Sequence, residues 1–432
     1  MKLRTLTFIL IATLSSCAGN IPESKFVKVE NGHFIKNGKP YYYIGANFWY
    51  GAILASEGLG GDTMRLAREL DFLKEAGVEN LRVLVGSDGE RGVNSKVEPT
   101  LQVSPGVYND TILIGLDRFL AELGKRDMNA VLYLNNSWEW SGGYSQYLQW
   151  TGHGKAPLPN IDGYDAYVAY VAQFQQSDSC KALFANYVRD IVSRKNSITG
   201  VAYKDDPVIF SWQVGNEPRA FSDENKELFA IWIGDVARLI KSIDSNHMVS
   251  TGSEGLYGCE KDTMLLEKIH SYPEIDYINL HIWPYNWGWV TKDSIPQMLD
   301  NAIANTEKYI QTHIAVSEKL SKPMVIEEFG LPRDNFLFTP GSPAKSRDTY
   351  YKYIFDRLLE NVRNRGFIAG CNFWAWGGFA RTDPANPFWK VGDDYCGDPA
   401  QEPQGLNTVF AIDTTTIMLI RDYNKEIKSS IK

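Results

Sequence analysis

Apolar and polar positions follow two alternating patterns along this chain. Eight short runs consist mainly of apolar, β-branched or aromatic residues, which is typical of strands that are buried on both faces. The runs are YYYIGANFWY (41–50), NLRVLV (80–85), AVLYLNN (130–136), VIFSWQVGNE (208–217), MVSTGSEG (248–255), IDYINLHIW (275–283), PMVIEEFG (323–330) and FIAGCNFWAWGG (367–378). Each run is followed by a segment long enough for a helix.

The segments between these runs carry the helical period. In GDTMRLARELDFLKEAG the apolar residues gather mainly on one helical face, and Gly77 ends the segment. These apolar residues are Met64, Leu66, Leu70, Phe72 and Leu73. Eight units of strand and helix predict an α/β fold, a parallel (β/α)8 TIM barrel with its helices outside and long loops at the C-terminal face. A doubly wound open sheet is the alternative, but no glycine-rich phosphate loop follows the first strand, which weakens it.

The N-terminus has a different pattern. A basic start, Met1 to Arg4, precedes the apolar run LTFILIATL, which is too short to span a membrane stably and is typical of a secretory signal. The sequence LSSC at residues 14–17 resembles the lipobox of bacterial lipoproteins, which implies a lipid on Cys17. An ordinary secretory signal with a chance cysteine is the alternative. We expect an exported lipoprotein, anchored to a membrane at the cell surface or in the periplasm.

Composition narrows the domain organisation and the partners. The 432 residues include 44 Lys and Arg against 52 Asp and Glu, and the formal charge of −8 disfavours a nucleic-acid partner. No repeat divides the chain, so we expect a signal peptide at 1–16, a short linker at 17–25 and one domain at 26–432, acting as a monomer. Within that domain, two Asn-Gly pairs at 31–32 and 37–38 predict a small N-terminal β-hairpin. Neither CxxC nor HExxH spacing occurs, so no metal or cofactor is required.

Carboxylates lie at the ends of two predicted strands. Glu217 ends the fourth run, in SWQVGNEPR, and Glu328 belongs to VIEEFG in the seventh. The C-terminal ends of barrel strands meet at one mouth, where this fold carries its chemistry. A retaining glycosidase needs a protonated carboxyl group as acid/base and an ionised carboxylate as nucleophile, about 5–5.5 Å apart. The pair therefore indicates glycoside hydrolysis, although a structural role is the alternative for each glutamate.

Other strand ends supply groups that such a site needs. Arg82 is a candidate to keep a carboxylate ionised, and Asn216 to donate to a sugar hydroxyl. His281 and Trp283 share one face of the sixth strand, and the histidine is a candidate to orient the acid/base. Indole rings suit the apolar face of a pyranose, which makes Trp374 on the eighth strand a candidate platform.

Aromatic residues are frequent in the predicted loops. The chain has 12 Trp, 23 Tyr and 20 Phe, and several tryptophans follow strands at the barrel mouth. These are Trp138, Trp140, Trp150, Trp287 and Trp289. Each is a candidate for stacking on a sugar, and packing of a loop onto the barrel is the alternative for each. As a set they favour a long cleft for a polymer.

The ordered motifs resemble glycoside hydrolase family five, and within it the endo-β-1,4-mannanase subgroup. The similar segments are GANFWYG, NNSWEWSGGYSQYLQW, NEP, TGSEG, HIWPYNWGW, EEFGLPRD, FWAWGG and GDPAQEPQGLNTVF. The likeness runs from about residue 26 to residue 425. It implies a retaining enzyme that cleaves internal bonds of mannan, galactomannan or glucomannan, with Glu217 as acid/base and Glu328 as nucleophile.

The resemblance also implies a set of substrate-binding residues. Those around the sugar at the cleavage site are Arg82, Asn216, His281 and Trp374. Further candidates for substrate contact are Trp49 in GANFWYG, Trp138 and Trp283.

Some positions stay open. Apolar residues line both faces of PMVIEEFG, so alternation does not choose between its two glutamates. The family pattern of a glutamate before an aromatic residue and glycine selects Glu328, and Glu327 is interpreted as a structural carboxylate between the strand and the helices. Trp283 stands where many members have tyrosine, and an indole donates but cannot accept. Where many members end the third strand in histidine, Asn135 or Asn136 takes that place.

Two other functions fit parts of the pattern. A β-1,4-glucanase of the same family would use the same two glutamates, which do not encode the orientation of the 2-hydroxyl. A non-catalytic surface lipoprotein that binds glycans is the hypothesis from a different class. Such a binder has no need of two carboxylates in reaction geometry.

Overall fold

The computed structural model describes residues 25–90, 92–93 and 95–431 of the chain. The predicted signal peptide, Cys17 and all of the predicted linker except residue 25 lie outside the described residues. Among the residues that the structure describes, none of the helices has both the length and the apolar character needed to span a membrane.

Eight parallel strands form the centre of the fold. In chain order they are β1 (Tyr43–Asn47), β2 (Asn80–Leu84), β3 (Asn129–Tyr133), β4 (Ile209–Gln213), β5 (Met248–Ser250), β6 (Ile278–Ile282), β7 (Met324–Phe329) and β8 (Ile368–Phe373). Every residue in these strands is buried, as the continuous apolar runs predict. The spatial order is β5-β4-β3-β2-β1-β8-β7-β6, so β1 pairs with β8 and the sheet curls towards closure.

The gap between β5 and β6 is bridged by hydrogen bonds beyond the regular ladder. Asp276 N donates to Val249 O at 2.8 Å, and His281 N donates to Glu254 O at 3.1 Å. The side chain of Asn279 on β6 also accepts from Gly252 N at 2.8 Å. These bonds complete the (β/α)8 barrel that the alternation of strands and helices predicts.

Helices surround the sheet. Their bounds are Gly51–Leu54, Thr63–Glu75, Asp110–Gly124, Gly143–Trp150, Pro159–Asp162, Tyr164–Val171, Asp178–Val192, Lys226–Ile243, Thr263–Ser271, Leu299–Leu320, Lys345–Asn364 and Thr414–Ser430. In the helix Thr63–Glu75, the Asp62 side chain caps the N-terminus by accepting from Arg65 N at 2.8 Å. Leu66 is buried there as predicted, but Met64 is 82 % exposed because it lies in the first turn, outside the buried stripe.

A small sheet covers the N-terminal end of the barrel. It consists of Lys28–Glu30, His33–Lys36 and Lys39–Pro40, so the predicted hairpin is extended to three antiparallel strands. Both Asn-Gly pairs have positive φ at both residues, as tight hairpin turns require. Phe34 is 1 % exposed and meets the rings of Phe210 and Tyr277 edge to face, which fixes the small sheet to the barrel.

Two further strand pairs lie in the loops at the C-terminal face. Gln102–Ser104 pairs with Val107–Tyr108 after β2, and Trp376–Gly378 pairs with Val409–Phe410 after β8. Short 3-10 helices occupy Glu139–Ser141, Ala172–Gln176, Tyr203–Asp205, Tyr257–Cys259 and Asp334–Phe336. The segment between the Trp376 and Val409 strands is the longest loop over the barrel mouth, and it borders the site described below.

Candidate active site

Two buried glutamates face each other at the barrel mouth. Glu328 lies near the end of β7, and Glu217 lies in the loop after β4; they are 2 % and 6 % exposed. One oxygen of each carboxylate and one ring nitrogen of His281 all lie within 4.8 Å of one another. This separation fits the short distance of about 5–5.5 Å between the carboxyl groups of retaining glycosidases, and not the 6.5–9.5 Å of inverting ones.

Glu217 sits four residues beyond the strand that was predicted to end in it. Its backbone has φ 51°, a left-handed conformation that is unfavourable for a residue with a side chain. Its N–H donates to Gly252 O at 2.9 Å, and the Ser137 hydroxyl donates to its carbonyl. These bonds hold the strained turn, which aims the carboxylate at Glu328 instead of along the strand.

The carboxylate of Glu217 is oriented by two donors. Trp138 Nε1 donates to its Oε2 at 2.5 Å, and His281 Nδ1 lies 2.8 Å from its Oε1. Burial raises the pKa of Glu217, while the charge of Arg219, the Trp138 indole and the charge of Arg82 act in the opposite direction. A carboxyl group whose pKa is raised in this way is suited to act as a proton donor.

Glu328 is fixed by an arginine on the barrel floor. Arg82 Nη1 donates to Glu328 Oε1, and Nη2 donates to Asn216 Oδ1 at 2.9 Å. Its remaining donors bind Asn47 Oδ1 at 3.2 Å and Gln213 Oε1 at 2.8 Å, so this fully buried cation has polar partners on all sides.

The two glutamates share their ionisation. Burial raises the pKa of Glu328, contact with Arg82 lowers it, and the neighbouring Glu217 charge raises it again. Two carboxylates this close cannot both ionise freely, so the pair holds a shared proton. A guanidinium in direct contact favours the ionised form, which assigns the charge to Glu328 and the proton to Glu217.

His281 bridges the two carboxyl groups. It is fully buried, and its Nδ1 lies 2.8 Å from Glu217 Oε1 and 3.3 Å from Glu328 Oε2. Burial and the charge of Arg82 hold its pKa well below the ordinary value, so the ring is neutral. A neutral ring with its proton on Nδ1 donates to the carboxylates without adding a charge.

Glu327 was interpreted as a carboxylate between the strand and the helices, and this location is wrong. It points into the barrel, where its Oε2 accepts from Gln213 Nε2 at 2.6 Å and from Asn279 Nδ2 at 2.7 Å. The cause is an irregularity in pairing: His281 on β6 is opposite Glu328, and Glu327 is skipped. Both glutamates can therefore point inward, and the structural role of Glu327 is inside the barrel.

A cavity of about 750 Å³ lies over the two glutamates. Its walls include the predicted residues Trp138, Asn216, Trp283 and Trp374. Trp374 follows β8, and its ring meets that of Trp283 edge to face with centroids 5.8 Å apart. Arg82 and His281 do not line the cavity; they lie beneath the two glutamates and act on the site through them.

Trp49 does not line this cavity. It is 1 % exposed, and its Nε1 donates to Gly397 O at 2.8 Å. Its ring contacts those of Trp140 and Tyr395. The structure thus places Trp49 behind the cavity wall, where it holds loops against the barrel. Its predicted contact with substrate is therefore wrong, and its role is packing.

The two asparagines after β3 have different surroundings. Asn136 Oδ1 accepts from Asn216 Nδ2 at 3.3 Å and from Trp138 N at 3.0 Å, so Asn136 belongs to the network of the site. The side chain of Asn135 is buried without a partner among the described residues. Asn136 therefore supports the site residues, a choice that the sequence left open.

Sequence reasoning missed Lys292 and four other charged residues of the cavity wall. Arg219 binds Glu254 through Nε at 2.6 Å, and both face the cavity together with Glu139 and Glu402. All four lie within motifs that were quoted only as wholes, NEPR, TGSEG, NNSWEW and GDPAQEP. The signal for each was a single charged residue in a loop, and only the folded arrangement brings them to one cavity.

Comparisons with known proteins show which family and which relatives the chain is similar to. Residues 24–432 match the model of a family described as GH family 5 beta-mannosidase-like. The chain is 32 % identical over 379 residues to putative mannan endo-1,4-beta-mannosidase 9 of Oryza sativa subsp. japonica, covering 83 % of each chain. It is 30 % identical over 437 residues to mannan endo-1,4-beta-mannosidase 3 of Arabidopsis thaliana, covering 97 % of this chain and 94 % of that one.

A solved structure is similar over nearly its whole length. It is the glycoside hydrolase family 5 mannosidase from Rhizomucor miehei, with a TM-score of 0.86 and 32 % identity. The match covers 94 % of this chain and 99 % of that one.

Proposed function

Since this chain belongs to the GH family 5 beta-mannosidase-like proteins, we propose that it is a retaining endo-β-1,4-mannanase. It hydrolyses internal β-1,4-mannosidic bonds of mannan, galactomannan or glucomannan. The observation that carries this function is the short separation of Glu217 and Glu328, with one donor from His281 between them. The substrate follows from the curated relatives, which are mannan endo-1,4-beta-mannosidases.

The reaction takes place in two displacements. Glu328, kept ionised by Arg82, attacks the anomeric carbon and forms a covalent glycosyl-enzyme ester. Glu217 gives its proton to the glycosidic oxygen, so the leaving sugar departs with a hydroxyl group. Glu217, now ionised, takes a proton from water, whose oxygen attacks the anomeric carbon and releases Glu328. Two inversions give overall retention.

The surrounding residues position these groups. Trp138 and His281 hold the Glu217 carboxylate towards the bond that is protonated. Asn216 Oδ1 accepts a hydrogen bond from Arg82. The side-chain amide of Asn216 can therefore donate through Nδ2 to Asn136 or towards the cavity. The rings of Trp374 and Trp283 supply an apolar wall for a pyranose.

The β-1,4-glucanase hypothesis keeps the mechanism and changes the substrate. The two hypotheses differ at one carbon of each sugar, so the test is a panel of linear mannan, galactomannan, glucomannan and a β-1,4-glucan, followed by reducing-end release. Oligosaccharides of mixed length from the mannans establish the mannanase. Hydrolysis of the glucan alone overturns the substrate, and binding without hydrolysis of any polymer supports the glycan-binding hypothesis.

Export and anchoring are part of the proposal and rest on the N-terminal sequence alone. The lipobox-like LSSC motif supports a lipid on Cys17, which would hold the barrel at a membrane surface. Full-length protein is expected in the membrane fraction, and Cys17→Ala is expected to release it. Equal fractionation of both proteins overturns the anchor. We also propose a monomer, which size-exclusion chromatography with light scattering of protein starting at residue 18 would test.

A further inference from the structure

On the side of the long loop after β8, hydrogen bonds hold the wall of the cavity in place. Residues 395–402, called here the closing wall, are fastened to the barrel from behind. The Tyr395 hydroxyl donates to Glu98 O at 2.6 Å and accepts from Glu98 N at 2.9 Å. Trp49 donates to Gly397 O at 2.8 Å. This wall therefore has a defined position over the barrel mouth, as a binding surface requires.

The neighbouring loop after β3 is tied to the same structure. Trp140, which lines the cavity, packs its ring against Trp49 with centroids 5.7 Å apart. Its carbonyl also accepts from Val97 N at 2.7 Å. Glu139 precedes Trp140 in a short 3-10 helix, so the contacts of Trp140 also hold the backbone next to Glu139.

Two carboxyl groups outside the catalytic pair face the cavity from these two segments. Glu139 lines the cavity and is only 7 % exposed, and Glu402 of the closing wall is half-buried. Among the described residues, neither carboxylate forms an ion pair or a hydrogen bond with another side chain. By contrast, Glu217, Glu254 and Glu328, which line the same cavity, all contact an arginine or histidine.

We propose that Glu139 and Glu402 together bind vicinal ring hydroxyl groups of a sugar unit next to the catalytic pair. The inference rests on the proposed function, because it names what the same cavity requires of its substrate. A carboxylate accepts two hydrogen bonds from neighbouring hydroxyl groups, as it does from the two N–H groups of an arginine. The sugar units accepted here therefore have free hydroxyl groups, and O-acylated units are excluded because they lack the donor.

The electrostatics of the pair support this role. Burial raises the pKa of Glu139 to about 7. Burial, followed by the charges of Asp398, Glu217 and Glu139, raises the pKa of Glu402 to about 8. Near neutral pH, protonated and ionised carboxyl groups are both present, so the pair can accept from one hydroxyl group and donate to another.

A purely structural role does not explain these two residues. Glu139 has a partner only in its own backbone N–H, and Glu402 has none among the described side chains. Partial removal of such carboxyl groups from water destabilises the folded state, and nearby acidic groups increase the cost. Residues that lower the stability of the folded protein, with no offsetting contact in the absence of ligand, are typical of functional sites. A ligand that supplies hydroxyl donors provides the partners that no described side chain supplies.

The test measures binding separately from hydrolysis. In the Glu328→Ala protein, which does not turn over substrate, mannotriose and cellotriose are titrated by calorimetry. Glu139→Ala and Glu402→Ala are then added singly and together to that background. We expect mannotriose affinity to fall about 10-fold or more for each carboxyl group that is lost. Glu57→Ala is the matched control, because Glu57 is an exposed glutamate outside the cavity that pairs with Arg118.

Stability separates binding from packing. If the two glutamates were structural, the conservative variants Glu139→Gln and Glu402→Gln would lower the unfolding midpoint; we expect it to stay the same or rise. A second readout compares kcat/KM on O-acetylated and deacetylated mannan. The wild-type preference for deacetylated mannan is expected to shrink in the Ala variants.

The outcomes distinguish the two proposals. Unchanged mannotriose binding in the double Ala variant, or no binding of either trisaccharide to the Glu328→Ala protein, overturns the hydroxyl-binding site. If hydrolysis of all polymers fails in the wild type but trisaccharide binding depends on both glutamates, the proposed function is overturned and the binding site stands.

Discussion

Glu217 and Glu328 are bridged by a single nitrogen. His281 Nδ1 lies 2.8 Å from one carboxylate and 3.3 Å from the other, at the floor of the cavity. Because the ring is neutral, it contacts both groups without changing which of them is ionised. The difference in ionisation comes from Arg82, which contacts only Glu328 of the two. Glu328 therefore carries the charge of the pair and Glu217 carries its proton.

Replacing Glu328 by alanine is expected to lower kcat by about a thousandfold or more, because no covalent intermediate can form. Added azide would restore turnover of an activated aryl mannoside by occupying the vacated space. Attack from the Glu328 side gives α-mannosyl azide, which NMR identifies. A β-azide product from this variant would place the nucleophile elsewhere.

Replacing Glu217 by alanine is expected to affect substrates unequally. Mannan needs a proton on the leaving oxygen, so its hydrolysis would fall by about 10²- to 10⁴-fold, the usual contribution of general acid catalysis. Formation of the intermediate from a dinitrophenyl mannoside needs no acid, and a pre-steady-state burst should remain. The loss of burst and steady-state turnover in equal measure for both substrates would argue against the acid role.

Removing the charge of Arg82 is expected to shift the pH profile. Activity requires ionised Glu328, so it is lost as pH falls through the pKa of that group. Arg82 lowers this pKa, so in Arg82→Met the acidic limb of kcat/KM should move up by about 1 to 3 pH units. Arg82→Lys keeps the charge and should move the limb less. An unmoved limb in both variants would contradict the pairing.

Glu139 predicts a pH dependence of stability. Its folded pKa of about 7 lies above the ordinary 4.5, so the unfolded chain releases this proton first and stability falls as pH rises between those values. Glu139→Gln does not titrate, so its free energy of unfolding should exceed that of the wild type at pH 8 by on the order of 1 to 3 kcal/mol. Urea unfolding at pH 4.5 and pH 8 measures this. Equal differences at both pH values would contradict the assigned ionisation.

The barrel could be predicted because its strands are buried on both faces, which leaves a continuous apolar run such as NLRVLV in the sequence. The order of polar residues at the strand ends also identified the site, since the topology brings all eight ends to one mouth. Arg82 and Asn216 needed no further information to be placed there, whereas the choice of Glu328 over Glu327 needed the family pattern.

Local irregularities could not be predicted in the same way. The left-handed turn at Glu217 depends on bonds from Gly252 and Ser137, which are distant in sequence. The skipped pairing at Glu327 depends on the register of β6 against β7. Trp49 was predicted to contact substrate because it lies in the family-like motif GANFWYG. That motif gives no sign of the bond from Trp49 Nε1 to Gly397 O, which holds the ring behind the cavity wall. Each case was decided by a long-range contact, which periodicity does not record.

In the proposed mechanism, Glu217 and Glu328 carry out a double displacement with retention. The most direct measurement follows the anomeric protons of the first product by NMR during rapid hydrolysis of a mannan oligosaccharide, before mutarotation. With a double displacement, the β-anomer appears first and then decays towards the equilibrium mixture. Initial appearance of the α-anomer would mean a single displacement by water and would contradict the assignment of Glu328 as nucleophile.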